Sequence, residues 1–225
     1  MKVYCHENVP GEKMKVILKD FAQYSPEKVA DICFIIIMCH GHLENNVLHA
    51  VGTDDVKVRT SWIENLFDNH SCTLFYKKPK VFIYQMCRGE SLDYASFEIA
   101  TTHTDSSERT TTVVERTQTD SISSASSIKR TFEDILIAHA TLKGYQANRD
   151  VYLGSWFIQL VCSVFMEHAH DTHIFDLFQE VNNRLGKMVS EKGVIQSSEQ
   201  TTVGFKPLYL HPGIYEDDEG NIQKL

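Results

Sequence analysis

Several features are missing from this chain, and each absence narrows what it can be. No apolar run approaches the roughly 18 residues of a membrane span, and the start, Met1-Lys2-Val3-Tyr4-Cys5-His6-Glu7, has no apolar segment of the secretory kind. Positive charge is scarce. Lys and Arg number 22 against 30 Asp and Glu, for a net charge of −8 and a pI near 5.7. Neither nucleic acid nor an anionic membrane is therefore an expected partner, since both demand a basic face. The six cysteines, at 5, 33, 39, 72, 87 and 162, show no C-x-x-C pairing. They suit a reducing compartment, and a soluble, cytoplasmic protein is expected. Aromatic residues vanish between Phe97 and Phe132, where Ser and Thr fill 16 of the 31 positions from Thr101 to Thr131. Such a segment cannot bury itself and reads as a solvated linker.

What remains, at 225 residues and 42% hydrophobic, is enough for one large core. Lys80 to Gln85 is a short apolar strand, covered on both faces, that stops at Met86-Cys87-Arg88-Gly89-Glu90. Cys87 is thereby delivered to the carboxyl end of a central strand, the edge at which open α/β sheets bind ligands. Asp31 to Met38 is a second buried strand, ending at Cys39-His40-Gly41. A thiol near pKa 8.5 needs a neighbouring base to become a nucleophile, and a strand-end histidine supplies one.

The remaining elements alternate. Lys2 to Cys5 reads as a strand. A helix opening at Pro10-Gly11-Glu12 then carries Met14, Val16, Ile17 and Phe21 at helical spacing, completing a βαβ unit with the His40 strand. Val47 to Val51 is extended, Gly52 to Asp55 a turn and Thr60 to Phe67 a helix. Beyond the linker, Ile135 to Ala138 is a strand. A helix begins at Gly154-Ser155 and runs through about Met166, with Ile158, Val161, Cys162 and Phe165 on its apolar face. Another spans Ile174 to Lys187, and Phe205 to Leu210 is a final strand. The pattern predicts an α/β fold with a mostly parallel central sheet and helices on both faces. His168, His170, Asp171 and His173 read as a solvated helix end rather than a zinc site, and no metal or cofactor is expected.

His40 precedes Cys87 by 47 residues, and Gln85-Met86-Cys87-Arg88-Gly89 departs only at Met86 from the Gln-Ala-Cys-x-Gly signature of caspases, which carry a histidine roughly 50 residues upstream. Together with Gly154-Ser155-Trp156-Phe157-Ile158-Gln159, these residues make the chain resemble the caspase family from about residue 2 to about 213. The resemblance implies a caspase-like three-layer sandwich and a cysteine endopeptidase that cuts after aspartate, in apoptosis or related signalling. Cys87 would be the nucleophile, His40 the acid and base, and the N–H groups of Gly41 and Cys87 the oxyanion hole. Gln85 and Arg149 would read the aspartate, while Arg88 would support the loops. Trp156 would wall the cleft further out, beside Gln146 and Asn148, which stand where executioner members have aromatic residues. The implied parts are a large-subunit portion at 1–100, a linker at 101–131, a small-subunit portion at 132–213 and an acidic tail at 214–225. Maturation cuts are expected after Asp105 and Asp120, each preceded by Thr-x-Thr and followed by serine.

The resemblance also implies protein substrates carrying aspartate before the scissile bond. It implies a homodimer, or a heterodimer with another caspase, paired through Phe205 to Leu210. The family's first strand, the helix after it and a second pocket arginine have no counterpart in this sequence. That departure implies either an incomplete gene product or a degenerate member with a damaged pocket, and the second opens an alternative, a catalytically impaired homologue that binds and regulates an active caspase.

Overall fold

A computed structural model of the chain describes residues 2–23, 30–95 and 130–211, with the backbone of 214–216 and 222–224. These residues belong to one compact unit, and the unit spanning 96–129 lies outside them. In chain order, helix α1 (Gly11–Gln23) leads to strand β1 (Cys33–Met38), and a hairpin of β2 (His40–Glu44) and β3 (Val47–Val51) follows. Next come β4 (Lys57–Arg59), α2 (Thr60–Asn65), a 3₁₀ turn at Thr73–Phe75, β5 (Lys80–Gln85) and β6 (Asp93–Tyr94). Beyond residue 129 lie β7 (Ile135–His139), β8 (Arg149–Asp150), β9 (Gly154–Ser155), α3 (Trp156–His168), α4 (Ile174–Leu185), β10 (Val194–Ile195) and β11 (Glu199–Val203). The backbone then forms a hairpin of β12 (Ile214–Glu216) and β13 (Ile222–Lys224).

The central sheet runs β1-β5-β7-β11, parallel from β1 to β7 with β11 antiparallel at the edge. Its period of two separates two cores. From β5, Phe82 and Tyr84 pack on one face with Cys33, Ile35 and Ile37 of β1, under Leu18 and Ala22 of α1 and Ile63 of α2. Val81 and Ile83 turn to the other face. There they meet Leu136 and Ala138 of β7, Phe157 and Val164 of α3 and five side chains of α4, among them Leu177 and Phe178. Three layers follow from this alternation, and β5, buried along its length, is the middle of the molecule. Each of its large side chains contributes about 1.5–3 kcal/mol on leaving water. Lys80 is buried with them because its ammonium donates to the carbonyls of Phe75 and Lys78, at 3.2 and 3.0 Å, and burial still lowers its pKa.

Several sequence expectations need correcting. Residues 2–10 form no strand, and Val3 and Tyr4 stay largely exposed, so α1 enters β1 without a βαβ unit before it. The last strand of the central sheet is Glu199–Val203, a run rich in Thr and Val. Phe205 to Leu210 contains Pro207, which has no N–H to donate, and makes only an isolated bridge between Tyr209 and His173. The acidic tail holds the β12–β13 hairpin. On α3 the expected Ile158, Val161 and Phe165 pack half-buried against the second core. Phe157 and Val164 are its fully buried residues, while Cys162 faces solvent. The linker's end is docked rather than free, since Asn69 donates to the carbonyls of Arg130 and Thr131.

Candidate active site

Parallel pairing decides where the two strand-end residues meet. Met38 pairs with Gln85 at the carboxyl ends of β1 and β5, and the Cys39 N–H donates to the Gln85 carbonyl at 3.2 Å. His40 and Cys87 each stand two residues beyond that pair, on neighbouring strands about 4.8 Å apart. The chain then doubles back through the β2–β3 hairpin, which lays Gly41 on the Cys87 main chain. A Cβ at position 41 would sit 1.9 Å from the Cys87 carbonyl oxygen, so only glycine allows this approach. His40 stays exposed, and Cys87 is half-buried.

The loop carrying Cys87 is held from the other side by residues that follow β7. Arg88 N–H donates to the Tyr145 carbonyl at 2.9 Å, and Gly144 N–H donates back to the Arg88 carbonyl at 2.8 Å. Gly89 sits so close to Gly144 that a Cβ there would lie 2.1 Å from its carbonyl oxygen. The Ala147 N–H reaches the Cys87 sulfur at 3.4 Å, which orients the thiol. Arg88 itself is buried. Its guanidinium donates to the Thr141 carbonyl at 3.0 Å and to the Glu199 carboxylate, so it ties the Cys87 loop to β11. The thiol two residues before Gly41 is different. Burial pushes Cys39 up, and its sulfur donates to the His40 carbonyl at 3.1 Å. Cys33 and Cys72 are pushed up by burial as well.

The other expected site residues lie on the β8–β9 hairpin and its neighbours. Arg149 pairs with Ser155 across that hairpin, and its side chain is exposed with no partner among the described residues. Ser155 caps α3, accepting from the Ile158 N–H, while its own hydroxyl donates to Gln85 Oε1 at 2.5 Å. The Gln85 amide is thus anchored beside Cys87 by the start of the helix that carries Trp156, a half-buried residue packed on the α3–α4 core. The Asn148 N–H donates to Gln196 and its side-chain amide to the Ile195 carbonyl, at 2.6 and 3.1 Å, which ties it to β10. Gln146 is exposed and donates to the Glu90 carbonyl at 2.9 Å. Asp105 and Asp120 lie outside the described residues.

Four contributors escape a reading of the sequence: Ser155 on Gln85, Ala147 on the sulfur, Glu199 on Arg88, and His139. His139 ends β7 and stacks on Tyr84 with ring centroids 5.2 Å apart. Burial, then the nearby Arg88, holds its pKa down to about 3. Only Ser155 had a sequence signal, as a helix cap; the others depend on pairing across the sheet. The histidine cluster is dispersed. His168 Nε2 lies 3.3 Å from Arg184, and His173 caps α4 by accepting from the Phe175 N–H.

Comparison with known proteins places this arrangement. The model of the Caspase domain matches residues 1–205. Caspase Dronc of Drosophila melanogaster is 30% identical over 192 residues, which is 82% of this chain and 42% of that protein. Cell death protein 3 of Caenorhabditis remanei is 32% identical, over 93% of this chain and 43% of its own length. The chain thus spans under half the length of these two curated relatives. The crystal structure of Caspase-1 from Spodoptera frugiperda superimposes with a TM-score of 0.70 at 22% identity, over 90% of this chain and 71% of that one. Its fold is the three-layer α/β arrangement described above. The chain belongs to the caspase domain family.

Proposed function

We propose that the chain carries the catalytic machinery of a cysteine endopeptidase that cuts after aspartate, in apoptosis or related proteolytic signalling. The observation that supports this best is the aligned exit of His40 and Cys87 from paired strand ends, with the Gly41 main chain on that of Cys87. In this reading His40 takes the thiol proton and the Cys87 sulfur attacks the carbonyl carbon. The N–H groups of Gly41 and Cys87 receive the developing oxyanion. His40 then protonates the departing amine, and water, activated by the same imidazole, hydrolyses the thioester. Gln85, held by Ser155, and Arg149, whose guanidinium is unpaired among the described residues, would bind the aspartate carboxylate. Cleavage after Asp105 and Asp120 would mature the chain, separating a large-subunit portion at 1–100 from a small-subunit portion at 132–213. The exposed edge of β11 would pair with a second copy or with another caspase, in the cytoplasm.

One observation favours a second reading. Of the arginines near the site, Arg88 is buried and committed to Thr141 and Glu199. Of these two only Arg149 is left to read a carboxylate, where the resemblance implies two arginines, and a homologue that has lost activity and regulates an active caspase would carry such a pocket. Cleavage of an aspartyl peptide under reducing conditions separates the two. The protease reading predicts turnover that Cys87→Ala abolishes and Cys39→Ala retains. Absence of turnover in the parent chain, or equal loss from both changes, favours the regulatory reading.

A further inference from the structure

A cleft of about 460 Å³ lies between α1, β4 and the start of α2, and its lining opposes the charge of the chain as a whole. Lys15, Lys19, Lys57 and Arg59 surround it, with Glu12 as its acidic member and Trp62 as its aromatic wall. Lys19 Nζ stands 5.7 Å from the centre of the Trp62 ring. Lys15 is held by Glu12 at 2.6 Å and Lys57 by Glu44 at 3.2 Å. Lys19 and Arg59 have no carboxylate partner among the described residues. In a chain of net charge −8, two rows of cations face this cleft, and Lys19 and Arg59, unmatched by carboxylates, give it a local field that attracts an anion.

We infer that this cleft is a docking site for an extended acidic segment of a protein substrate, and this deepens the protease reading on which it rests. The spacing of the cations selects the ligand. Lys15 and Lys19 are one helical turn apart, and Lys57 and Arg59 are alternate residues on one face of a strand, so each row repeats at roughly 6–7 Å. Alternate side chains of an extended peptide repeat at the same interval. A compact phosphate needs donors converging on one point, which two separated rows of side chains do not provide. The cleft also connects to the candidate site. His40 shares a face of the β2-β3-β4 sheet with His42, which pairs with His49, which pairs with Arg59. That face of the sheet thus carries His40 at one end and Arg59 at the other, with His49 buried between them.

The test uses the 225-residue chain carrying Cys87→Ala together with Trp156→Phe, which leaves Trp62 as the sole tryptophan of that chain. A peptide with glutamate at alternate positions is titrated against Trp62 fluorescence. Binding should weaken as salt is raised, and adding Lys19→Glu and Arg59→Glu should weaken it about tenfold or more. The glutamine version of the peptide should not bind. No binding, unchanged binding in the charge-reversed protein, or displacement by pyrophosphate or an oligonucleotide as effective as by the peptide would each overturn the assignment. A separate arm uses the chain with Cys87 intact. The charge-reversed variant should cut a short aspartyl peptide as the parent does, but lose the parent's preference for the same peptide extended by the acidic segment on its leaving side. If neither peptide is cut while the fluorescence response holds, the protease reading fails and the acidic-segment site stands.

Discussion

Replacing Gly41 by alanine tests the contact that brings the two strand ends together. The added methyl would sit 1.9 Å from the Cys87 carbonyl oxygen and 3.0 Å from its carbonyl carbon, where ordinary contact begins at 3.4 Å. The hairpin and the Cys87 loop must therefore separate by about 1.5 Å along that line. Both partners are main chain, so no side-chain rotation relieves the clash. Overpacking of this kind costs about 1–3 kcal/mol of stability, which the large sheet can bear. Catalysis cannot, because displacing a reacting constellation by about 1 Å costs on the order of 10²-fold. Urea unfolding should show a modest loss of stability, and kcat/KM on an aspartyl peptide should fall about 100-fold or more. A folded Gly41→Ala protein with kcat/KM within about threefold of the parent would refute the reasoning.

Further outcomes follow from burial and from the linker. His139 carries a folded pKa near 3 against an ordinary 6.5. The unfolded chain therefore binds more protons between those values, and this contribution to stability is full above pH 6.5 and lost as pH falls toward 3. Acidification from pH 7 to 5 should cost about 2 kcal/mol through this residue, and urea midpoints of His139→Phe should lack that share of the slope. Glu64, whose carboxyl burial raises, acts in the opposite sense and cancels between the two proteins; equal slopes would refute the assignment. Intact-mass analysis after co-expression with an active caspase should show cuts after Asp105 and Asp120. Asp105→Ala or Asp120→Ala should each leave one cut and the double change none, and termini at other residues would refute the maturation scheme.

Elements whose instructions are local were legible in the sequence. The unbroken Val81 to Tyr84 run specified a strand covered on both faces, and Met38 and Gln85 meet where it aligns with β1. The apolar run Cys33 to Met38 of β1 reads as equally buried but leaves Ile36 and Met38 exposed on one face. Phe205 to Leu210 misled because an apolar alternation overrode the proline inside it, while the polar Glu199–Val203 reads poorly as a strand until β7 is there to pair with it. The same limit applies to the site. Cys87, His40 and Gly41 stand at strand ends and show in the sequence, but the bonds of Asn148 to Gln196 and Ile195 depend on β10, far along the chain. The Arg88–Glu199 pair joins residues far apart in the chain, and the basic cleft is assembled from α1 and β4 in an acidic protein. Neither has a local pattern to betray it.

The most direct test of the central claim is covalent capture of the nucleophile. An aspartyl fluoromethyl ketone, which alkylates a thiolate once its carboxylate and carbonyl are seated, is incubated with the reduced chain and the adduct is mapped by peptide mass. The account predicts one adduct, on Cys87, that is lost with Arg149→Ala and strongly slowed with His40→Ala. The exposed thiols Cys5 and Cys162 serve as internal controls. Labelling of those two in preference to Cys87, or capture at Cys87 that is indifferent to His40 and to the aspartyl group, would contradict it.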